Sequence, residues 1–170
     1  MDDRGGQFGE WMRAHLGVLH RISRAFAEPA DQHDLLQELM IAVWKAQPAF
    51  RGDSSSVTFI WRVAHNRALT WRRREHGRTA RDATAAREIA VLEGGEDGDA
   101  QLLDRLYAAI RKLGPLDRSI VLLSLEGAAY RDIAALHGLS ETNVGARLTR
   151  ARQQLTTLVS GPDGGDDDGL

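Results

Sequence analysis

Residues 130–155 read YRDIAALHGLSETNVGARLTRARQQL, and the spacing of their apolar and small side chains predicts two helices around a tight bend. In the first, Ile133 and Ala134 fall on the inner side, and the alanine is small enough for a second helix to cross closely. Gly138 follows, where a positive φ costs glycine little, and Ser140 is an N-cap residue for the next helix. Val144 and Leu148 then face Ile133 and Leu139. Such a pair is a helix-turn-helix, which aims the first turns of its second helix at a DNA major groove. Ser140, Glu141, Thr142, Asn143, Arg147 and Arg150 are the candidate DNA-contacting residues, with Ala146 among them on the outer side. Asparagine and arginine pair bidentately with adenine and guanine edges; Arg147, Arg150 and Arg152 suit phosphates equally well. The plain alternative is a helical hairpin whose arginines only solvate its surface. Gly145, inside the second helix, costs about 1 kcal/mol relative to alanine. It reads either as room for close backbone approach to DNA or as tolerated drift.

Working outward, the sequence is helical on both sides of a gap. Leu103, Leu106, Ile110 and Leu113 form one stripe, broken at Gly114 and Pro115. Ile120, Leu123 and Leu125 make a short helix closed by Gly127. From 77 to 101 periodicity fails apart from a weak helical patch at 85–92, and a Gly/Asp run follows, which reads as a linker. Before it, Phe8, Trp11, Met12, Leu16, Leu19, Ile22 and Phe26 recur at three- and four-residue steps. Pro29 ends that helix, and the spacing does not say whether it is split. A second starts near Asp31, an N-cap type, and carries Leu35, Leu36, Leu39, Met40, Val43 and Trp44. A third runs from about 57 to 74 with Val57, Ile60, Val63, Ala64 and Ala68 inward. No β-alternation holds over five residues. The expected fold is all-α: a helical domain at 1–76, a linker at 77–101, a helix-turn-helix domain at 102–160, and a disordered acidic tail at 161–170.

Composition bounds the function. The 170 residues are 42% hydrophobic and 27% charged, with a formal net charge of -2 and no cysteine. That removes disulfides, CxxC zinc sites and thiol chemistry, and fits a reducing cytoplasm. No membrane span or secretory signal is legible. Charge is local rather than global: 71–75 and 147–152 are basic, 94–99 and 163–168 acidic. A binding surface feels local potential, so a slightly acidic total leaves nucleic acid open as a partner while arguing against a chain that coats DNA unaided. The six histidines are scattered, with no HExxH, P-loop or convergent catalytic set. Neither an enzyme nor a metal or cofactor site is expected.

The first domain decides among DNA-binding proteins. On its second helix Asp34, Gln37, Glu38 and Ile41 share the outer side at i, i+3, i+4, i+7, a mixed acidic and apolar stripe that suits docking of a basic partner helix. The third helix places Arg62, His65, Asn66 and Arg67 outside, near a loop bearing Arg51, Ser54, Ser55 and Ser56. Trp61 stands between that outside and the core. Cations, hydroxyls, an amide and an aromatic together suit single-stranded DNA and a base taken out of the stack.

The run DLLQELMIAVWKAQPAFRGDSSSVTFIWRVAHNRALTWRRRE, residues 34–75, resembles the promoter-melting region of extracytoplasmic-function sigma factors of bacterial RNA polymerase. Asp34, Leu35, Gln37 and Glu38 match the family's acidic helix. Phe50, Arg51 and Gly52 match its loop, and Ile60, Val63, Ala64, Asn66, Arg72 and Arg73 match its third segment, with Phe59 at the tryptophan position. Residues 113–155 are similar to its upstream-element reader. The resemblance implies core polymerase docking through the α-helical stripe at Asp34, Gln37, Glu38 and Ile41, against the clamp coiled coil of the largest subunit. It further implies melting of the −10 element with a flipped base held by the Gly52–Ser56 loop, −35 reading by the helix-turn-helix, and an anti-sigma partner. The chain departs from the pattern at Asn143, usually threonine, at Gly145, usually basic, and at Thr70, often aspartate. The competing expectations are a free-standing dimeric helix-turn-helix regulator and a helical adaptor.

Overall fold

The computed structural model describes residues 4–82 and 98–160, with side chains described for 9–75 and 98–160. All the described regular structure is helical, in two compact units. The first holds α1 (Arg4–Phe26), α2 (Gln32–Ala46) and α3 (Ser56–Asp82); the second holds α4 (Gly98–Lys112), α5 (Pro115–Leu125), α6 (Tyr130–His137) and α7 (Glu141–Ser160). Helix α1 is continuous. Helix α3 continues past the expected end, and α4 begins before Leu102. The expected helical patch at 85–92 and the tail at 161–170 lie outside the described residues, as does the side chain of Phe8.

In the first unit each helix packs on the other two. Leu19 and Ile22 of α1, Leu35, Leu39 and Val43 of α2, and Ile60, Trp61, Ala64 and Ala68 of α3 are completely buried. The α2 pattern is i, i+4, i+8, one narrow stripe. Trp44 lies off it and is 58% exposed, so the expectation that it joins the core is corrected. The α3 stripe is rotated from its expected position: Val57 is exposed at the first turn, and Trp61 is inside. A buried indole removes some 150–250 Å² from water, more than the valine would, so the tryptophan sets which face turns in. Helix α2 starts where Asp31 predicts, but the Asp31 side chain makes no capping hydrogen bond.

In the second unit α7 packs against α4, α5 and α6. Ile110, Ile120, Leu122, Ile133, Val144 and Leu148 form the centre. Arg118 is buried and donates through Nη2 to the carbonyl of Leu113 at 2.9 Å and to that of Arg111. A helix end leaves its last carbonyls without intrahelical donors, and this guanidinium serves that of Arg111 in α4 and that of Leu113 just beyond it. Leu103 and Leu125, expected inward, are 42% and 65% exposed.

Candidate nucleic-acid and protein-docking interfaces

The bend between α6 and α7 forms as the sequence predicts. Gly138 has φ 65°, the left-handed region, and the Leu139 N–H returns to the Ala134 carbonyl at 2.9 Å. Ser140 then caps α7: its Oγ accepts from the Asn143 N–H at 3.2 Å, and its carbonyl from the Val144 N–H at 3.0 Å. With Val144, Leu148, Ala151 and Leu155 buried, Glu141, Thr142, Asn143, Ala146 and Arg150 are exposed over the first turns. Two of the singled-out residues sit at the edges of that surface instead. Arg147 is 30% exposed, and its Nη1 donates to Asp117 Oδ1 of α5 at 2.7 Å. Gly145 lies beside the Tyr130 ring: a Cβ there would come 3.5 Å from Tyr130 Cε2. The glycine thus seats an aromatic ring of α6, which no spacing rule anticipates.

Residues 103–155 match the description "Sigma-70, region 4" and residues 11–78 match "Sigma-70 region 2". The chain belongs to the extracytoplasmic-function sigma factors. It is 29% identical to the RNA polymerase sigma factor NccH of Alcaligenes xylosoxydans xylosoxydans over 89% of this chain and 86% of that one. It is 28% identical to the ECF RNA polymerase sigma-E factor of Escherichia coli K12 over 84% and 80% respectively. The fold is similar to that of the sigma factor RpoE of Bartonella quintana, solved with the anti-sigma factor NepR, at TM-score 0.73 and 20% identity, over 92% of this chain and 98% of that one. It is also similar to CnrH in complex with the cytosolic domain of CnrY, at TM-score 0.60 and 23% identity, over 90% of this chain and 87% of that one. Membership decides between the open readings: a non-enzymatic promoter-recognition subunit of RNA polymerase, not a free-standing regulator or adaptor. No described helix is long and apolar enough to cross a membrane.

In this sigma factor the first unit carries the residues of the other two candidate surfaces. On α2, Asp34, Gln37 and Ile41 are exposed and Glu38 is half-buried. Sequence reasoning stopped that stripe at Ile41. Continued by the same helical steps it reaches Trp44 and Lys45, both exposed, and the periodicity held that signal. Glu38 Oε2 accepts a hydrogen bond from Arg67 Nη2 of α3.

The loop before α3 is held at both ends. Phe50 sits between Trp11 and Phe59, with ring centroids 6.4 and 5.0 Å away. Gly52 has φ 78°, which lets Arg51 and Asp53 stay exposed at the turn. Ser55 Oγ accepts from the Thr58 N–H at 3.1 Å, an N-terminal cap on α3. His15 Nδ1 donates to the Trp11 carbonyl at 2.7 Å, which leaves Nε2 of the neutral ring to accept from the Ser56 hydroxyl at 3.1 Å. Ser54 is half-buried.

Two members of the expected melting surface face the other way. Trp61 is fully buried, and its indole N–H has no acceptor among the described residues. His65, one turn on, is 8% exposed and meets the Phe26 ring edge-on at 5.8 Å. Both follow from the rotation of the α3 stripe, because residues four apart share a face. Arg62 and Asn66 remain exposed, and Arg67 is drawn aside to Glu38.

Proposed function

We propose that this sigma factor docks on core RNA polymerase through α2, with Asp34, Gln37, Glu38 and Ile41 against a basic partner helix. The first turns of α7 read the −35 element in intact duplex, and the loop at Arg51, Ser54, Ser55 and Ser56, together with Arg62 and Asn66, engages the opened −10 element. The observation that carries this reading is the capped α7, whose exposed Thr142, Asn143 and Arg150 lie opposite the buried Val144 and Leu148. Asn143 offers a bidentate pair to adenine, Arg150 to guanine or a phosphate, and Ala146 a contact to a thymine methyl. Polymerase supplies the affinity and this chain the choice, which suits a net charge of -2. An anti-sigma protein restrains it in the cytoplasm; both similar structures were solved with partners of that kind or with a cytosolic partner domain.

Run-off transcription with core enzyme and a pool of genomic fragments tests the reading. Glu38→Arg should abolish core association with the helical fold intact. Asn143→Ala and Arg150→Ala should lower promoter-dependent transcript while core association persists. Unchanged association for Glu38→Arg sinks the docking assignment, and unchanged promoter use by both α7 variants sinks the −35 assignment.

A further inference from the structure

The docking stripe on α2 is not uniformly acidic. Its N-terminal half carries Asp34 and Gln37, both exposed, and then Glu38. Ile41 and Trp44 follow, 50% and 58% exposed, two large apolar side chains one turn apart on the same face. Alongside Ile41, α2 and α3 flank an open cleft of about 290 Å³, lined by Glu38, Ile41, Ala42, Lys45 and Arg67. Glu38 is the only acid in that lining, and its charge is already met by Arg67. Lys45 remains, so the cleft is cationic as a whole. Asp34 and Lys45 are eleven residues apart, which places opposite charges about 16 Å apart along one helix face.

We propose that this cleft is the second electrostatic end of the docking face and receives an acidic side chain of the partner. The incoming carboxylate sits between Lys45 and the Arg67 donors not engaged by Glu38. The apolar residues of the same partner helix cover Ile41 and Trp44, and its basic residues meet Asp34 and the free Oε1 of Glu38. Arginine has five donors in a planar fork, so Arg67 serves Glu38 and the carboxylate together. The partner is therefore a helical surface carrying both signs in a fixed order, basic then apolar then acidic along the α2 direction. Opposed charges at two ends fix the direction in which a helix lies, because the reversed pairing sets like charges against each other. Arg67, grouped with the DNA-contacting residues on sequence grounds, becomes part of the polymerase interface.

This inference rests on docking through α2, and the test separates the two. Fluorescence anisotropy of the labelled full-length protein measures its affinity for core polymerase at several salt concentrations, with circular dichroism as the check of folding. Lys45 is exposed, so Lys45→Glu should fold as the wild type does. It should weaken core binding roughly tenfold or more, with Lys45→Gln intermediate, and the loss should shrink as salt rises. Trp44→Ala should weaken binding with little salt dependence. If Lys45→Glu binds core as well as the wild type or better, the cleft does not face an acid and the proposal fails. Arg67→Gln that keeps core affinity yet slows promoter opening, read by permanganate reactivity of the −10 strand, returns Arg67 to the DNA surface and also overturns it. Failure of the wild-type protein to bind core at all would sink docking itself rather than the assignment of the cleft.

Discussion

Gly145→Ala should stabilise the second unit without altering promoter choice. Alanine in a helix interior is favoured over glycine by about 1 kcal/mol. The added Cβ would stand 3.5 Å from Tyr130 Cε2 and 4.0 Å from Cδ2. Both are ordinary van der Waals separations, so no strain subtracts from the propensity gain, and the contacts add on the order of a few tenths of a kcal/mol. A net gain near 1 kcal/mol raises the melting temperature of a helical unit of this size by about 4–8 °C. It also slows exchange of the most protected α7 amides about fivefold. Hydrogen exchange on the full-length protein resolves α6 and α7 from the first unit, and run-off transcription follows promoter use. Because the methyl group would lie under the Tyr130 ring and not in the groove, transcript pattern should be unchanged. Lower protection in α7, or loss of promoter discrimination with the fold intact, would refute the reasoning and assign the glycine to close approach of DNA.

Trp61→Ala should destabilise the first unit by about 3–5 kcal/mol, seen as loss of helical signal; a folded variant with a defect only in strand opening would contradict its place in the core. Ser140→Ala should cost about 0.5–2 kcal/mol by removing the cap on α7, measured by chemical denaturation. His137 lies 3.1 Å from Ser119 Oγ, and burial lowers its pKa from the ordinary histidine value. The unfolded chain therefore binds the proton more readily, so stability rises with pH through this window. It should be full above about pH 6.5 and decline as the pH falls toward the lowered folded value. His137→Gln should flatten that dependence in denaturation curves taken from pH 5 to 8.

The helix-turn-helix was readable because each of its signals is local. Gly138, Ser140 and the apolar pair Val144 and Leu148 act within a few residues of one another, and the bend formed as those residues dictate. The α2 stripe was legible for the same reason, although reading it only as far as Ile41 missed Trp44 and Lys45. Helix α3 was harder. Val57, Ile60, Trp61, Val63, Ala64, His65 and Ala68 supply two overlapping stripes rotated by about 50° from each other, and periodicity alone does not choose between them. Packing against α1 and α2 chose the one that buries Trp61 and His65.

From the chain alone came the all-α class, the order of the two modules, the cap on α7 and the polar face of α2, because backbone propensity and apolar spacing are written residue by residue. Folding decided which charges are spent inside the protein. Arg67 meets Glu38 across 29 positions and Arg147 meets Asp117 across 30, and Tyr130 settles over Gly145. Those partners stand on different helices, so only packing brings them within reach, and no periodicity along a single element encodes which of them will meet.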